Sequence, residues 1–367
     1  MANWFDIANI NELDTPALVV YPDRVKQNIA TLVAAIDDVD RLRPHVKTHK
    51  CKEATQLCMD AGIRKFKCAT IAEAEMLALC KAPDVLLAYQ PIGPKIKRLV
   101  ALIKQYPDTQ FSCLVDNYEA ATTIDKIALA EQVTLNVYID LNVGMNRSGI
   151  APQKAFVLYE RCELLQAVKV IGLHAYDGHI HNEDLDIRKQ QCNAAFKLVE
   201  ELIAELHQSG IDPVVIAGGS PTFPIHAKRK GVECSPGTFI YWDSGYGKEL
   251  GEQTFLPTAL VVARIVSLPD DTKICVDLGH KSVASENVLD KRVTFLNSPQ
   301  LQPVSHSEEH LVLEAGANHN CKVGDVLYGV PHHICPTVAL YERAITIQNN
   351  KTSGEWLTIA RDRKINI

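Results

Sequence analysis

The stretch Arg43-Pro44-His45-Val46-Lys47-Thr48-His49-Lys50 closes an apolar strand pattern and opens a helical one. A lysine flanked by apolar residues at the C-terminal end of a strand sits where water is scarce. The ammonium form is disfavoured in such a place, and the amine becomes available as a nucleophile. Lys47 is therefore the first candidate for a lysine that condenses with a carbonyl group. The same residues also read as a solvated basic loop, since His45, Lys47, His49 and Lys50 cluster there.

Working outward, Leu13 to Tyr21 reads as a β-rich entry. Asp23 then caps an amphipathic helix with Val25, Ile29, Leu32, Val33 and Ile36 at helical spacing. Short apolar strand candidates follow, each succeeded by a helical pattern: Arg41 to Lys47, Lys65 to Thr70, Asp84 to Tyr89, Gln110 to Asp116, Val133 to Asp140, Val168 to Ala175, Pro213 to Ala217 and Val232 to Ser235. Eight β/α units in series predict an α/β fold, a closed parallel (β/α)8 barrel whose active site lies at the C-terminal ends of the strands. A doubly wound open sheet is the alternative.

Past about residue 250 the pattern changes. Leu260 to Val266, Lys273 to Asp277, His310 to Glu314, Asp325 to Val330 and Val338 to Tyr341 are strand candidates with few helices between them. They predict a second, mainly antiparallel β domain. Neither an internal repeat nor a low-complexity segment is visible.

Composition narrows the function classes. The 367 residues are 47% hydrophobic and 22% charged, as in ordinary globular proteins. A formal charge of -6 argues against nucleic acid as a partner, because a phosphate-binding surface shows as a basic excess. The run Ala227-Lys228-Arg229-Lys230 is too short to change that and reads as a solvated helix end. Membrane insertion is not expected either, since no apolar run reaches the roughly 18–20 residues of a span. Residues 1–6 lack the basic-then-apolar pattern of a secretory signal. Eleven cysteines, an odd number scattered through strands and helices, fit reduced thiols and a cytoplasmic protein.

In a barrel the polar residues at strand ends converge on one mouth. Gly218-Gly219-Ser220-Pro221-Thr222 follows the seventh strand candidate, and Ser235-Pro236-Gly237-Thr238 follows the eighth. Glycines there let backbone N–H groups approach an anion, and Ser220 and Thr238 add hydroxyl donors. Each turn alone is weak. Together with Lys47 after the first strand, they point to a phosphorylated aldehyde cofactor, pyridoxal 5′-phosphate.

With Gly144-Met145-Asn146-Arg147-Ser148-Gly149 added, these motifs resemble the D-threonine aldolase and D-serine dehydratase branch of the alanine-racemase-type (fold type III) pyridoxal phosphate enzymes. The resemblance runs from about residue 12 to the C-terminus. It implies a barrel over residues 22–250, a β domain of residues 1–21 plus 251–367, and a homodimer. Lys47 would carry the cofactor; Gly219, Ser220, Gly237 and Thr238 would cradle its phosphate. Arg147 would stand near the phenolic oxygen and Tyr176 near the pyridine nitrogen. A neutral partner at that nitrogen leaves the ring less electron-poor than a carboxylate would.

The last cluster is Pro331-His332-His333-Ile334-Cys335-Pro336-Thr337. In an extended segment residues i and i+2 point to the same side, so His333 and Cys335 can hold one metal ion together. A buried thiol beside a surface histidine is the plainer reading of the residues alone. The resemblance implies the metal pair, and a thiolate ligand favours zinc, with manganese as the second choice. His310, after Ser307-Glu308-Glu309, resembles a family histidine and is a candidate helper base.

The function so implied is that of a metal-assisted lyase acting on D-3-hydroxy amino acids. D-serine dehydratase-like loss of water leads. D-threonine aldolase-like cleavage, or action on 3-hydroxyaspartate, is a close competitor. A racemase would want a tyrosine base from the β domain, where Tyr328 and Tyr341 have no assigned role. A non-catalytic pyridoxal phosphate-binding protein would lack the second domain and the metal pair.

Overall fold

The computed structural model describes residues 3–367. The chain divides into two compact units. One comprises residues 32–47, 55–237 and 362–367; the other comprises residues up to 31, 48–54 and 238–361.

Strand β1 (Ala17–Val20) falls in the second unit. The first is a parallel sheet of seven strands in sequential order, β2 (Lys65–Cys68), β3 (Asp84–Leu87), β4 (Gln110–Val115), β5 (Leu135–Leu141), β6 (Val168–Ala175), β7 (Val214–Ala217) and β8 (Val232–Cys234). Helices follow most of the strands, and the strands are largely buried, with polar residues such as Lys67, Asp140 and His174 among the buried positions. Local signals set the helix starts. Thr70 Oγ1 accepts the Glu73 N–H at 3.1 Å and Asn117 Oδ1 accepts that of Ala120 at 2.8 Å. The first helix departs from its expected cap: it runs Pro22–Ala34, with Asp23 inside the first turn. Proline at the first helical position has its φ preset there and needs no donor.

The expected first barrel strand, Arg41 to Lys47, is not a continuous strand. Residues Val39–Arg41 and Val46–Thr48 are single 3-10 turns, and between them the chain makes only two parallel bridges, Leu42 to Cys234 and His45 to Lys67. Pro44 cannot donate to a ladder. Its carbonyl still accepts the Lys67 N–H at 2.9 Å, while the Arg43 N–H reaches the Cys234 carbonyl at 2.9 Å. Residues 42–45 thus join β8 to β2 and occupy the eighth position of the barrel.

Arg43 secures that closure. The side chain is 1% exposed. Its Nε donates to Glu233 Oε2 at 2.7 Å, and its two terminal nitrogens donate to both Asp84 oxygens at 2.6 and 3.0 Å. Lys65 also pairs with Glu233. One guanidinium therefore ties the closing segment to β8 and to β3 with fork geometry that a lysine could not reproduce. The final residues fold back onto the same unit, where Glu75 accepts the N–H groups of Asn366 and Ile367 and Arg98 donates to the Ile367 carbonyl.

In the second unit a nine-stranded, mainly antiparallel sheet is built from β1 with β9 (Ala259–Ser267), β10 (Lys273–Val276), β11 (Val293–Phe295), β12 (Gln302–His306), β13 (Leu311–Glu314), β14 (Val326–Pro331), β15 (Arg343–Gln348) and β16 (Lys351–Leu357). β1 lies between β9 and β15, pairing Leu18 with Val261 and Val19 with Ile345. The core beside it packs Phe5, Val19, Tyr21, Leu260, Val262 and Tyr328. Val338 to Tyr341, expected as a strand, instead ends a short helix, Ile334–Val338, and turns. Local pairing wins there, since the Leu340 and Tyr341 N–H groups reach the Thr337 and Val338 carbonyls. Among the described residues no helix is long and apolar enough to cross a membrane.

Replacing Arg43 by leucine leaves the buried Glu233 with Lys65 as its one remaining ion-pair partner and strips Asp84 of its guanidinium fork. Urea unfolding should show a loss of about 3 kcal/mol, the lower end of the cost of breaking a buried pair, because Lys65 still compensates part of the charge. A loss under 1 kcal/mol would mean that the closure does not depend on this residue.

Candidate active site

Within the barrel unit, a cavity of about 470 Å3 opens among His45, Lys47, Lys67, Arg147, His174 and Tyr176. Lys47 stands in the one-turn segment after the closing bridge, where its backbone N–H donates to His45 Nδ1 at 3.2 Å. Tyr176 follows the last residue of β6. The Arg147 guanidinium carbon lies 5.1 Å from its ring centre and Lys67 Nζ lies 5.4 Å from it. Three residues selected from the sequence, Lys47, Arg147 and Tyr176, therefore share one cavity. Lys67 and His174 share it too, and nothing in the sequence pattern singled them out.

The two glycine-containing loops meet as well. The Gly237 N–H donates to Ser220 Oγ at 3.3 Å. Gly218 has φ +77°, a backbone conformation that disfavours other residues, and a Cβ at Gly219 would lie 3.1 Å from the Tyr176 ring. Behind this loop, Asp177 receives the Thr222 hydroxyl on one oxygen at 2.8 Å and meets His226 Nε2 with the other at 2.9 Å; all three side chains are buried. Burial alone would push the Asp177 carboxyl up. The hydrogen bonds of His226 and Thr222 and the imidazole charge outweigh it and hold the group below the usual carboxylate range. Thr222 Oγ1 in turn accepts the Gly219 N–H at 3.3 Å.

These residues fit a phosphorylated aldehyde. Ser235 Oγ is buried with no hydrogen-bond partner among the described residues, which is how a hydroxyl meant for a phosphate oxygen would stand. Lys47 offers the amine within the same unit.

Asp177, Cys192 and His226 are also the grouping of three potential metal ligands found among the described residues, with Cys192 Sγ 3.3 Å from His226 Nε2. Their spacings suit a hydrogen-bonded network equally, and Thr222 already engages the second carboxylate oxygen.

His333 and Cys335 lie in the other unit. His333 has extended backbone and precedes the helix Ile334–Val338, so Cys335 sits in a helical first turn rather than an extended segment. The two side chains still meet. Burial would lower the imidazole's pKa, but its hydrogen bond to Cys335, the thiolate's charge and the Glu286 carboxylate outweigh this and raise it to about 9. Glu286 lies 2.7 Å from His333 Nδ1 and holds a proton on that nitrogen, the way a carboxylate orients a histidine that binds a metal through its other nitrogen. Cys335 Sγ is 3.1 Å from Thr48 Oγ1 and 3.9 Å from Thr238 Oγ1. Asp243, buried and pushed up to about 6 by that burial, accepts the Ile334 N–H at 3.1 Å and fixes the turn between the pair. The chemistry of this donor set, one imidazole and one thiol beside a carboxylate, suits a divalent ion such as zinc. His310 is exposed at the bend between β12 and β13, where its carbonyl accepts the Ser307 N–H.

Residues 20–245 match the family model described as "Alanine racemase, N-terminal domain", and residues 258–347 match "Putative serine dehydratase domain". The chain is 26% identical to a D-threonine aldolase of Arthrobacter sp over 95% of its own length and 93% of the relative's. The solved D-threonine aldolase from Filomicrobium marinum superposes with a TM-score of 0.88 at 25% identity, covering 95% of this chain and 96% of that one. D-threo-3-hydroxyaspartate dehydratase from Delftia sp. HT23 gives a TM-score of 0.83 at 22% identity, covering 94% and 97%.

The Asp177 network yields a test. Thr222→Val removes a buried charge-assisted hydrogen bond worth about 1.5–3 kcal/mol. Absorbance titration of the apo-protein with pyridoxal phosphate should show about a tenfold or greater loss of affinity; an unchanged affinity would separate this network from the loop.

Proposed function

Because the chain belongs to the alanine racemase N-terminal domain family over residues 20–245, we propose that it is a pyridoxal phosphate-dependent, metal-assisted lyase acting on D-3-hydroxy amino acids. The observation that carries this reading is the pairing of Lys47 with Arg147 and Tyr176 around one cavity, in a chain that also brings His333 and Cys335 together. Cleavage of the Cα–Cβ bond is the first reading, since the relative matched over 95% of this chain is an aldolase. Loss of water is the second. It is supported by a relative 27% identical over 63% of this chain, the D-threo-3-hydroxyaspartate dehydratase of Delftia sp..

In this reading Lys47 holds the cofactor; Gly219, Ser220, Gly237 and Thr238 hold its phosphate; Arg147 and Tyr176 flank its ring; and His333 and Cys335 hold zinc or manganese. Bound there, pyridoxal phosphate supplies an electron sink for the bond broken at Cα, and the metal supplies a Lewis acid for the β-oxygen. The chain's own part is positioning and proton movement. The Lys47 amine takes or returns the proton at Cα. The Asp177 network keeps the phosphate loop in one conformation, and the barrel walls limit water around the reacting carbon. His310 is the candidate helper base for the proton of the substrate's hydroxyl. The β domain and the metal pair set this chain apart from a non-catalytic binding protein. We take the protein to work as a homodimer in the cytoplasm, where the eleven cysteines stay as thiols.

Incubation of the purified protein with pyridoxal phosphate, zinc and D-threonine should yield glycine and acetaldehyde; 2-oxobutanoate with ammonia would establish the second reading instead. Lys47→Ala should abolish the visible absorbance of the lysine-bound cofactor, and an unchanged spectrum would sink the cofactor assignment. His333→Ala or Cys335→Ala should strip the metal, read by elemental analysis, and cost at least tenfold in activity, while the cofactor stays bound.

A further inference from the structure

A second amine faces the cavity. Lys67 lies on β2 beside His45 and is 3% exposed. Its Nζ is 3.4 Å from His174 Nε2, and His174 Nδ1 is 2.7 Å from Asp140 Oδ1. The other Asp140 oxygen accepts the Ser148 hydroxyl at 2.9 Å. These partners assign the protons. Burial pushes the Asp140 carboxyl up, yet the hydrogen bonds from His174 and the Ser148 hydroxyl and the nearby Lys67 charge outweigh it and hold the group below the usual carboxylate range. As an acceptor it places the imidazole proton on Nδ1. Burial and the Lys67 charge lower the His174 pKa, so the ring is neutral with its lone pair on Nε2. Lys67 is the donor to that lone pair.

The charged groups around Lys67 come from every side of the barrel interior. Lys47 and Arg43 face it from the closing segment, Asp140 from β5, His174 from β6 and Asp177 from just beyond β6. Arg147 shares the Tyr176 ring with it. A lysine used only for packing keeps its ammonium in water or against a carboxylate. This one instead meets the edge of a neutral imidazole inside the cavity that Lys47 lines.

We propose that Lys67 is an acid–base residue of the cofactor site, which exchanges a proton at Nζ while hydrogen-bonded to His174 and thereby sets the charge that bound pyridoxal phosphate meets. The proposal rests on the cofactor reading above. It also explains how burial is tolerated: burial and the neighbouring Lys47 charge push the Lys67 amine down to about 7, so near neutral pH it is an amine or an ammonium with similar ease. Because the Lys47 charge is one of the causes, loading Lys47 with an aldehyde changes the proton affinity of Lys67, and the two amines report on one another.

Competitive acetylation of the apo-protein across pH, read by peptide mass spectrometry, tests this directly. Lys67 should label with a midpoint near 7, and Lys47→Ala should move that midpoint upward; labelling with the ordinary lysine midpoint of 10.5 would overturn the proposal. In the loaded protein, the visible spectrum should change with pH near 7. Lys67→Met should lose that transition with cofactor still bound, and Lys67→Arg should lock the low-pH spectrum. A transition that persists in both variants also overturns the proposal. Failure of the wild-type protein to bind pyridoxal phosphate would defeat the cofactor reading instead, and the acetylation midpoint would still decide on Lys67.

Discussion

The barrel depends on one buried cation. Arg43 stands where the sheet has to close without a regular strand, and it replaces the missing ladder with charge-assisted hydrogen bonds to Glu233 and Asp84. Burying two charges and half-burying a third is costly, and the geometry has to be good to offset the desolvation. The result is a rigid point two β-bridges wide, from which the chain turns out to present Lys47. A side chain carried on a loop alone would be less well fixed than one placed four residues beyond a buried guanidinium fork.

How much of this was legible in the sequence follows from the kind of signal each residue leaves. Seven of the eight barrel strands are visible because a strand covered on both faces is a short apolar run bounded by turn residues. The eighth position misleads because Leu42 and Val46 are buried as strand residues would be, while Pro44 removes the donor a ladder needs. β16 is hard to see for the opposite reason: Lys351-Thr352-Ser353-Gly354-Glu355-Trp356-Leu357 lies at the sheet edge and is largely exposed, so it carries little apolar pattern. Lys47, Gly219 and Ser220 are readable because a strand end next to glycine or lysine is itself a chemical signal. Lys67, Asp177 and His226 give none, since their roles depend on partners brought by distant strands. The His333 and Cys335 pair was readable in identity but not in geometry. The cysteine lies in the short helix Ile334–Val338, which periodicity over so few residues does not reveal.

The site's electrostatics show two solutions to the same problem. Asp177 and Asp140 are carboxylates kept charged in low dielectric by a histidine on one oxygen and a hydroxyl on the other. One pair lies behind the Gly218–Thr222 loop and the other beside the Lys47 and Lys67 amines. A cavity with such fixed dipoles already oriented needs little rearrangement when charge develops within it.

The position of β1 bears on the order in which the protein is made. Its Ala17-Leu18-Val19-Val20 run lies in the sheet interior, and both of its partners come from beyond residue 258. During synthesis those four apolar residues emerge early and stay without a ladder while the whole barrel sequence is translated. An unpaired apolar strand is a template for pairing with other chains. The second unit therefore finishes last although it begins first, and the nascent chain carries its own aggregation hazard until the sheet closes around it.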